Sequence, residues 1–352
     1  MPGSAPVPAP EIPTRLVVHS LVREDGTVDA GELYSVAGAL GMSDQQVRLC
    51  IKRLVAEGRF THEGRGRKAL LRATAEGAEA LMPNVEFTRY AYRQDRGLAP
   101  WDGVWRLFAF AIPESARPAR DALRDTLLGL GAAAVQGGLY VSANAVGEYV
   151  EAAAERLGVL PAVTFLTSED LRVGTVRAPR ELAAALWPLP EISERYDRLA
   201  ALAQAQLGRL EEGAAPAETE RLTMAITLAA EFTRAMEPDP LLPPELLPQP
   251  WAGSRARELA DRCWTLLPGR PPDAPDGDRP RPRLFRLYAD TADTDDTDDA
   301  VDTDDAVDTD DAAGTTGTAD TDDIHDIADT SGTATTTGTP RTGGRGPSPA
   351  GT

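Results

Sequence analysis

Six residues able to read or grip a nucleic acid, Gln45, Gln46, Arg48, Leu49, Lys52 and Arg53, fall in one short stretch, and Arg65, Arg67 and Lys68 follow soon after. Arginine can bond both acceptors of a guanine edge, glutamine can bond adenine, an exposed leucine can touch a thymine methyl, and lysine neutralises phosphate. The second group alternates with glycines, which let the main chain approach a phosphate closely or enter a minor groove. Together they imply double-stranded DNA as partner. The competing reading is an ordinary solvated basic face.

The elements around these residues favour the first reading. Thr14 to Arg23 has helical spacing, and Asp29 and Glu32 stand like a capping box ahead of a helix from Ala30 to Leu40 closed by Gly41. Ser43 and Gln46 repeat that spacing ahead of a helix from Asp44 to Glu57 ended by Gly58. On that third helix Val47, Cys50, Ile51, Leu54 and Val55 share one face, which predicts a core side and leaves the basic and amide residues on the other. Two short runs, Arg59 to Glu63 and Arg67 to Ala73, flank Gly64-Arg65-Gly66 and read as a hairpin, the wing of a winged helix-turn-helix.

Further along, Thr74 to Arg93 reads as a connecting helix and Gly97 to Pro100 as a joint. A strand-like run from Val104 to Ile112, helices at Arg117 to Leu130 and Asn144 to Leu157, a divided run from Ala133 to Ser142, and a strand from Ala162 to Thr167 suggest a ferredoxin-like unit. Trp101 and Trp105 are spaced for packing at its edge. Helices then dominate: Arg180 to Leu186, Glu191 to Leu210, Glu218 to Met236 and Ser254 to Leu267. They are interrupted by the proline-leucine stretch Asp239 to Pro250, which cannot be helical.

The formal charge is −19, but seventeen aspartates against only Arg341 and Arg345 place −15 of it in residues 289–352. The rest is close to neutral and can carry local basic patches. Near-repeats of Asp-Thr-Asp-Asp-Ala-Val give that tail too little apolar surface to fold, so it is expected to be disordered. It lacks the turn glycine and closing glutamate of a calcium loop, and its charge could instead compete with DNA for the basic face. Cys50 and Cys263 are far apart within apolar helical patterns and read as reduced thiols, and His19, His62 and His325 form no catalytic or metal constellation. No cofactor is expected. Met1 to Pro13 has no signal-peptide form and no run reaches the ~18 apolar residues of a membrane span, so the expectation is a cytoplasmic protein without membrane contact.

Three stretches carry a family resemblance. Val47-Arg48-Leu49-Cys50-Ile51-Lys52-Arg53-Leu54 before Glu57-Gly58 is the first; Trp101-Asp102-Gly103-Val104-Trp105 with Ile112-Pro113-Glu114 and Arg117, Arg120 and Arg124 is the second. The third runs from Asp239 to Pro248, with Trp251, Gly253 and Ala256-Arg257. Together they resemble the PaaX family, repressors named for phenylacetic acid catabolism. The sequence departs from that family at Leu71-Arg72-Ala73, which lacks its usual aromatic, and in the acidic tail. The resemblance implies an α+β chain with a winged helix-turn-helix, a central ferredoxin-like (Cas2-like) domain and a helical C-terminal domain. It also implies a homodimeric repressor of a catabolic operon that binds a partly palindromic operator and is released by an effector, an aryl-CoA thioester in the best-known members.

The resulting map is a disordered leader (1–13), a winged helix-turn-helix (14–82), a connecting helix and joint (83–100), a central domain (101–178), a helical domain (179–288) and a disordered tail (289–352). Arg117, Arg120 and Arg124 share a helical face that could hold effector phosphates or touch DNA, or be merely solvated. A Cas2-like metal-dependent nuclease is the rival class, but no aspartate ends the strand from Leu107 to Ile112. A protein-interaction module built on the winged fold is the third.

Overall fold

The computed structural model describes residues 12–75, 85–212, 215–269 and 280–292. It begins with α1 (Thr14–Ser20), β1 (Thr27–Asp29), α2 (Ala30–Ala39), α3 (Asp44–Ala56), β2 (Phe60–Glu63) and β3 (Leu70–Ala73). Ser43 and Gln46 cap α3 reciprocally, as their spacing predicts. The equivalent pair ahead of α2 closes only halfway: Asp29 accepts from the Glu32 amide at 2.9 Å, while the Glu32 carboxylate takes Arg23 at 2.9 Å. Gly41 and Gly58 end α2 and α3 at φ +81° and +70°, angles a side chain would resist.

The strands form one antiparallel sheet in the order β1-β3-β2. The sequence pattern gives the β2–β3 pair but not β1, because three residues between a turn and a cap are too short to show alternation. The core face of α3 is narrower than its periodicity suggests. Val47, Ile51 and Leu54 are buried, Cys50 is half-buried, and Val55 is exposed rather than packed.

After α4 (Val85–Asp95) comes the central segment: β4 (Trp105–Phe110), α5 (Arg117–Gly129), β5 (Ala133–Gln136), β6 (Leu139–Ser142), α6 (Gly147–Arg156) and β7 (Val163–Ser168). Its sheet order is β5-β6-β4-β7, wholly antiparallel. This is a ferredoxin-like arrangement, in which each β-α-β half interleaves with the other. Alternation along β4 divides its side chains: Phe108 packs with Leu123, Leu127 and Val150 of the covering helices, whereas Trp105 and Leu107 join the core of the C-terminal helices. Trp105 stacks on Trp187 at 6.3 Å and meets Trp101 edge-on at 5.2 Å, which gives both tryptophans the structural role expected.

The C-terminal segment holds α7 (Pro179–Leu186), α8 (Leu189–Glu212), α9 (Glu218–Met236), α10 (Ala252–Leu266) and α11 (Arg283–Ala292). The prolines between α9 and α10 exclude a longer helix there, and only a short 3-10 turn, Pro244–Leu246, forms. Helix α11 corrects the expected boundary at residue 289. Its Leu284 and Tyr288 are buried, and Tyr288 stacks on Trp264 at 4.3 Å and meets Phe232 edge-on at 5.5 Å. The remainder of the expected tail, His325 included, lies outside the described residues, as does most of the leader.

The first and last described segments are joined by main chain. Arg23 bridges Pro282 in antiparallel fashion, the Arg283 amide donates to the Val22 carbonyl at 2.8 Å, and the Glu24 amide donates to Arg281 at 3.1 Å. Helix α2 also packs on α9. No helix among the described residues is long and apolar enough to cross a membrane.

Candidate nucleic-acid interface

Burial of Val47, Ile51 and Leu54 fixes the rotation of α3, and Gln45, Gln46, Arg48, Leu49, Lys52 and Arg53 are then all exposed. Leu49 is 48 % exposed, a large apolar side chain left in water on the polar side of its helix. The exposed side has two flanks. Arg48 and Lys52 continue, one and two turns on, the row begun by Asp44, whose carboxylate meets Arg67 of the hairpin. Gln46, Leu49 and Arg53 face α1 across a cavity of about 410 Å³ that Arg15, Cys50 and Glu57 also line.

Gln46 has a restricted role. Its side-chain oxygen accepts from the Ser43 amide at 2.8 Å and the Ser43 hydroxyl at 2.9 Å, which leaves its NH2 group free to donate but commits its acceptor to the cap. A bidentate adenine contact needs both functions, so Gln45 is better placed for it.

The hairpin is held against the helices at Arg67. Its guanidinium lies 3.4 Å from the Asp44 carboxylate and 5.5 Å from the centre of the Tyr34 ring. Gly31 permits this approach, because a Cβ there would stand 3.0 Å from the Arg67 carbonyl. Arg67 therefore positions the hairpin, while Arg65 and Lys68 project into solvent. Arg48, Lys52, Arg53, Arg65 and Lys68 have no ion-pair partner among the described residues. Five such cations on one helix and its neighbouring hairpin make a surface suited to phosphate.

Beneath this surface, burial and the nearby Arg15 and Arg59 charges lower His19 to about 4, and its ring lies 5.5 Å from Phe60. His62 is exposed on β2. Burial raises the Cys50 thiol above its ordinary value and pushes Cys263 up to about 12, so neither suits thiolate chemistry.

Arg117, Arg120 and Arg124 do share a face of α5, but carboxylates stand among them. Arg120 meets Glu114 at 2.8 Å, Arg124 meets Asp125 at 3.0 Å, and Arg117 and Asp121 are 3.5 Å apart. This is an exposed ion-pair network, and the cavity beside α3 does not reach it.

A second polar site joins Asp239 and Arg257, both in the third of the resembling stretches, to Asp95 and Tyr196, which no motif singled out. Arg257 is buried and donates from Nε and Nη2 to Asp95 at 2.6 and 2.8 Å, and from Nη1 to the Tyr196 hydroxyl at 3.0 Å. Tyr196 in turn donates to Asp239. Burial raises Asp239, the Arg257 charge opposing it; burial would lower Arg257, but the facing Tyr196 and Asp95 outweigh it and raise it. Leu241, at φ +48°, is a hub: its carbonyl accepts from Gln94 of α4 at 2.7 Å and from Asn144 of the central segment at 3.0 Å.

Residues 98–183 match the family model described as PaaX protein central Cas2-like domain, and residues 187–270 match that of the PaaX-like protein C-terminal domain. The central and C-terminal segments are thus both similar to those of the PaaX family. The chain is 26 % identical to the transcriptional repressor PaaX of Escherichia coli (strain K12) over 258 residues, which is 73 % of this chain and 79 % of that protein. Among solved structures, the uncharacterized protein Rv0674 from Mycobacterium tuberculosis is similar at a TM-score of 0.47 and 23 % identity, covering 73 % of this chain and 96 % of that one. The PaaX family matches cover the antiparallel sheet unit and the helical segment, in the order in which the structure presents them.

Proposed function

We propose that this chain is a DNA-binding transcriptional repressor whose residues 14–82 act as a winged helix-turn-helix. One observation carries the reading: the exposed side of α3 and the adjoining hairpin present Arg48, Lys52, Arg53, Arg65 and Lys68 without ion-pair partners among the described residues. Arg48, Arg53 and Gln45 reach base edges, Leu49 contacts a thymine methyl, and Lys52, Arg65 and Lys68 hold phosphates. A homodimer would place two such surfaces on a two-fold operator. An acyl-CoA thioester is the effector class the family resemblance supports, and the cytoplasm is where such a repressor works.

Selection of DNA by the purified chain, followed by retention assays, tests this. Arg48→Ala and Arg53→Ala each relax sequence preference by about 1–3 kcal/mol per altered contact. Unchanged preference in both variants would remove α3 as the reader. Cleavage chemistry is not favoured: the first carboxylate after β4 is Glu114, already engaged by Arg117 and Arg120.

A further inference from the structure

We propose that the cavity between α4, the loop after α9, and α10 binds a small organic cation, an ammonium on a compact apolar body, and that its occupancy controls the grip of α10 on α4. The cavity measures about 260 Å³, just below the usual range for small-molecule pockets, which sets the ligand's size. Leu242, Leu247 and Trp251 supply apolar wall, while Asp95, Asp239 and Arg257 converge on the same space.

Charge selects the ligand. Two carboxylates face one guanidinium, so with both ionised the lining has one negative charge in excess. Arg257 already spends its donors on Asp95 and Tyr196, with Asp239 3.7 Å away. An entering anion would meet two carboxylates beside a guanidinium whose three nitrogens are already donating. An entering ammonium would find carboxylate oxygens with unused lone pairs in a site where a buried charge gains most from a partner.

The site is also a junction. Asp95 ends α4, which leads back to the α1–β3 segment, whereas Arg257 and Ser254 lie on α10; Ser254 bonds Asp95 at 2.6 Å. An ammonium that competes with Arg257 for these carboxylates loosens the link between the C-terminal helices and α4. Coupling between two sites requires such an element that the ligand biases. The regulatory half of this inference rests on the DNA-binding reading; the binding half does not.

The test uses the full chain with benzylammonium, benzyl alcohol and benzoate, which share a ring and differ in charge. Thermal melts and calorimetric titration should show saturable binding of benzylammonium alone. Asp239→Asn should weaken it by about tenfold to a hundredfold. Leu247→Trp, which fills the cavity and leaves every charged residue of the lining in place, should abolish it. Absence of saturable benzylammonium binding, an equal response to benzoate, or full binding in a folded Leu247→Trp variant would overturn the site. In parallel retention assays, benzylammonium should weaken DNA binding at least tenfold. Binding of both ligand and DNA without mutual effect would overturn the coupling; ligand binding with no DNA retention would leave the site standing and overturn the repressor reading.

Discussion

Replacing Lys68 and Arg67 separately by alanine distinguishes a residue that meets phosphate from one that builds the surface. Each chain presents three cations assigned to phosphate, Lys52, Arg65 and Lys68, without ion-pair partners among the described residues, so the proposed dimer would neutralise about six phosphates. At roughly 0.9 released counterions per contact, log K should fall with log salt at a slope of about −5.4, or ~40-fold for each doubling of salt. Lys68→Ala removes two contacts, brings the slope to about −3.6, and cuts the loss per doubling to ~12-fold. Arg67 is committed to Asp44 and Tyr34, so Arg67→Ala should leave the slope near about −5.4 while lowering sequence selectivity as the hairpin loses its anchor. The assay is fluorescence anisotropy with a selected duplex between about 0.1 and 0.3 M salt, where the slope is linear. Equal slope changes in the two variants, or none with Lys68→Ala, would refute the division of roles.

Two further outcomes follow from the interior. His19 titrates at about 4 when folded against 6.5 unfolded, so its proton favours the unfolded chain; stability is held above about pH 6.5 and is lost progressively down to about 4. His19→Phe should flatten that part of the urea-midpoint profile against pH, and an unchanged profile would exclude His19 as its source. Tyr288→Ala removes a buried ring stacked on Trp264 and should cost about 3–5 kcal/mol in chemical denaturation; a loss under 1 kcal/mol would mean α11 does not hold the helices together.

How much of this was readable in advance depended on the range of the interaction. The Ser43–Gln46 cap and helix Glu218–Met236 were legible because their determinants lie within a few turns of sequence. β1 was not, since its identity comes from pairing with β3, far along the chain. α11 was obscured by the acidic composition after it, although Leu284 and Tyr288 have the four-residue spacing of one helix face. For the candidate interface, exposure of the α3 residues followed from periodicity, but the fixing of Arg67 by Asp44 and Tyr34 required three dimensions. The Asp95–Arg257 pair spans 162 positions and has no local signature at all.

The bridge between Arg23 and Pro282 bears on how this protein can be cut. The second PaaX match ends at residue 270, and a fragment trimmed there would look complete by family boundaries. It would lack the main-chain partners of Val22 and Glu24 and leave the faces of Trp264 and Phe232 bare. Such a fragment should be sticky and poorly expressed. A piece that keeps these contacts extends at least through Tyr288, well beyond where family resemblance stops.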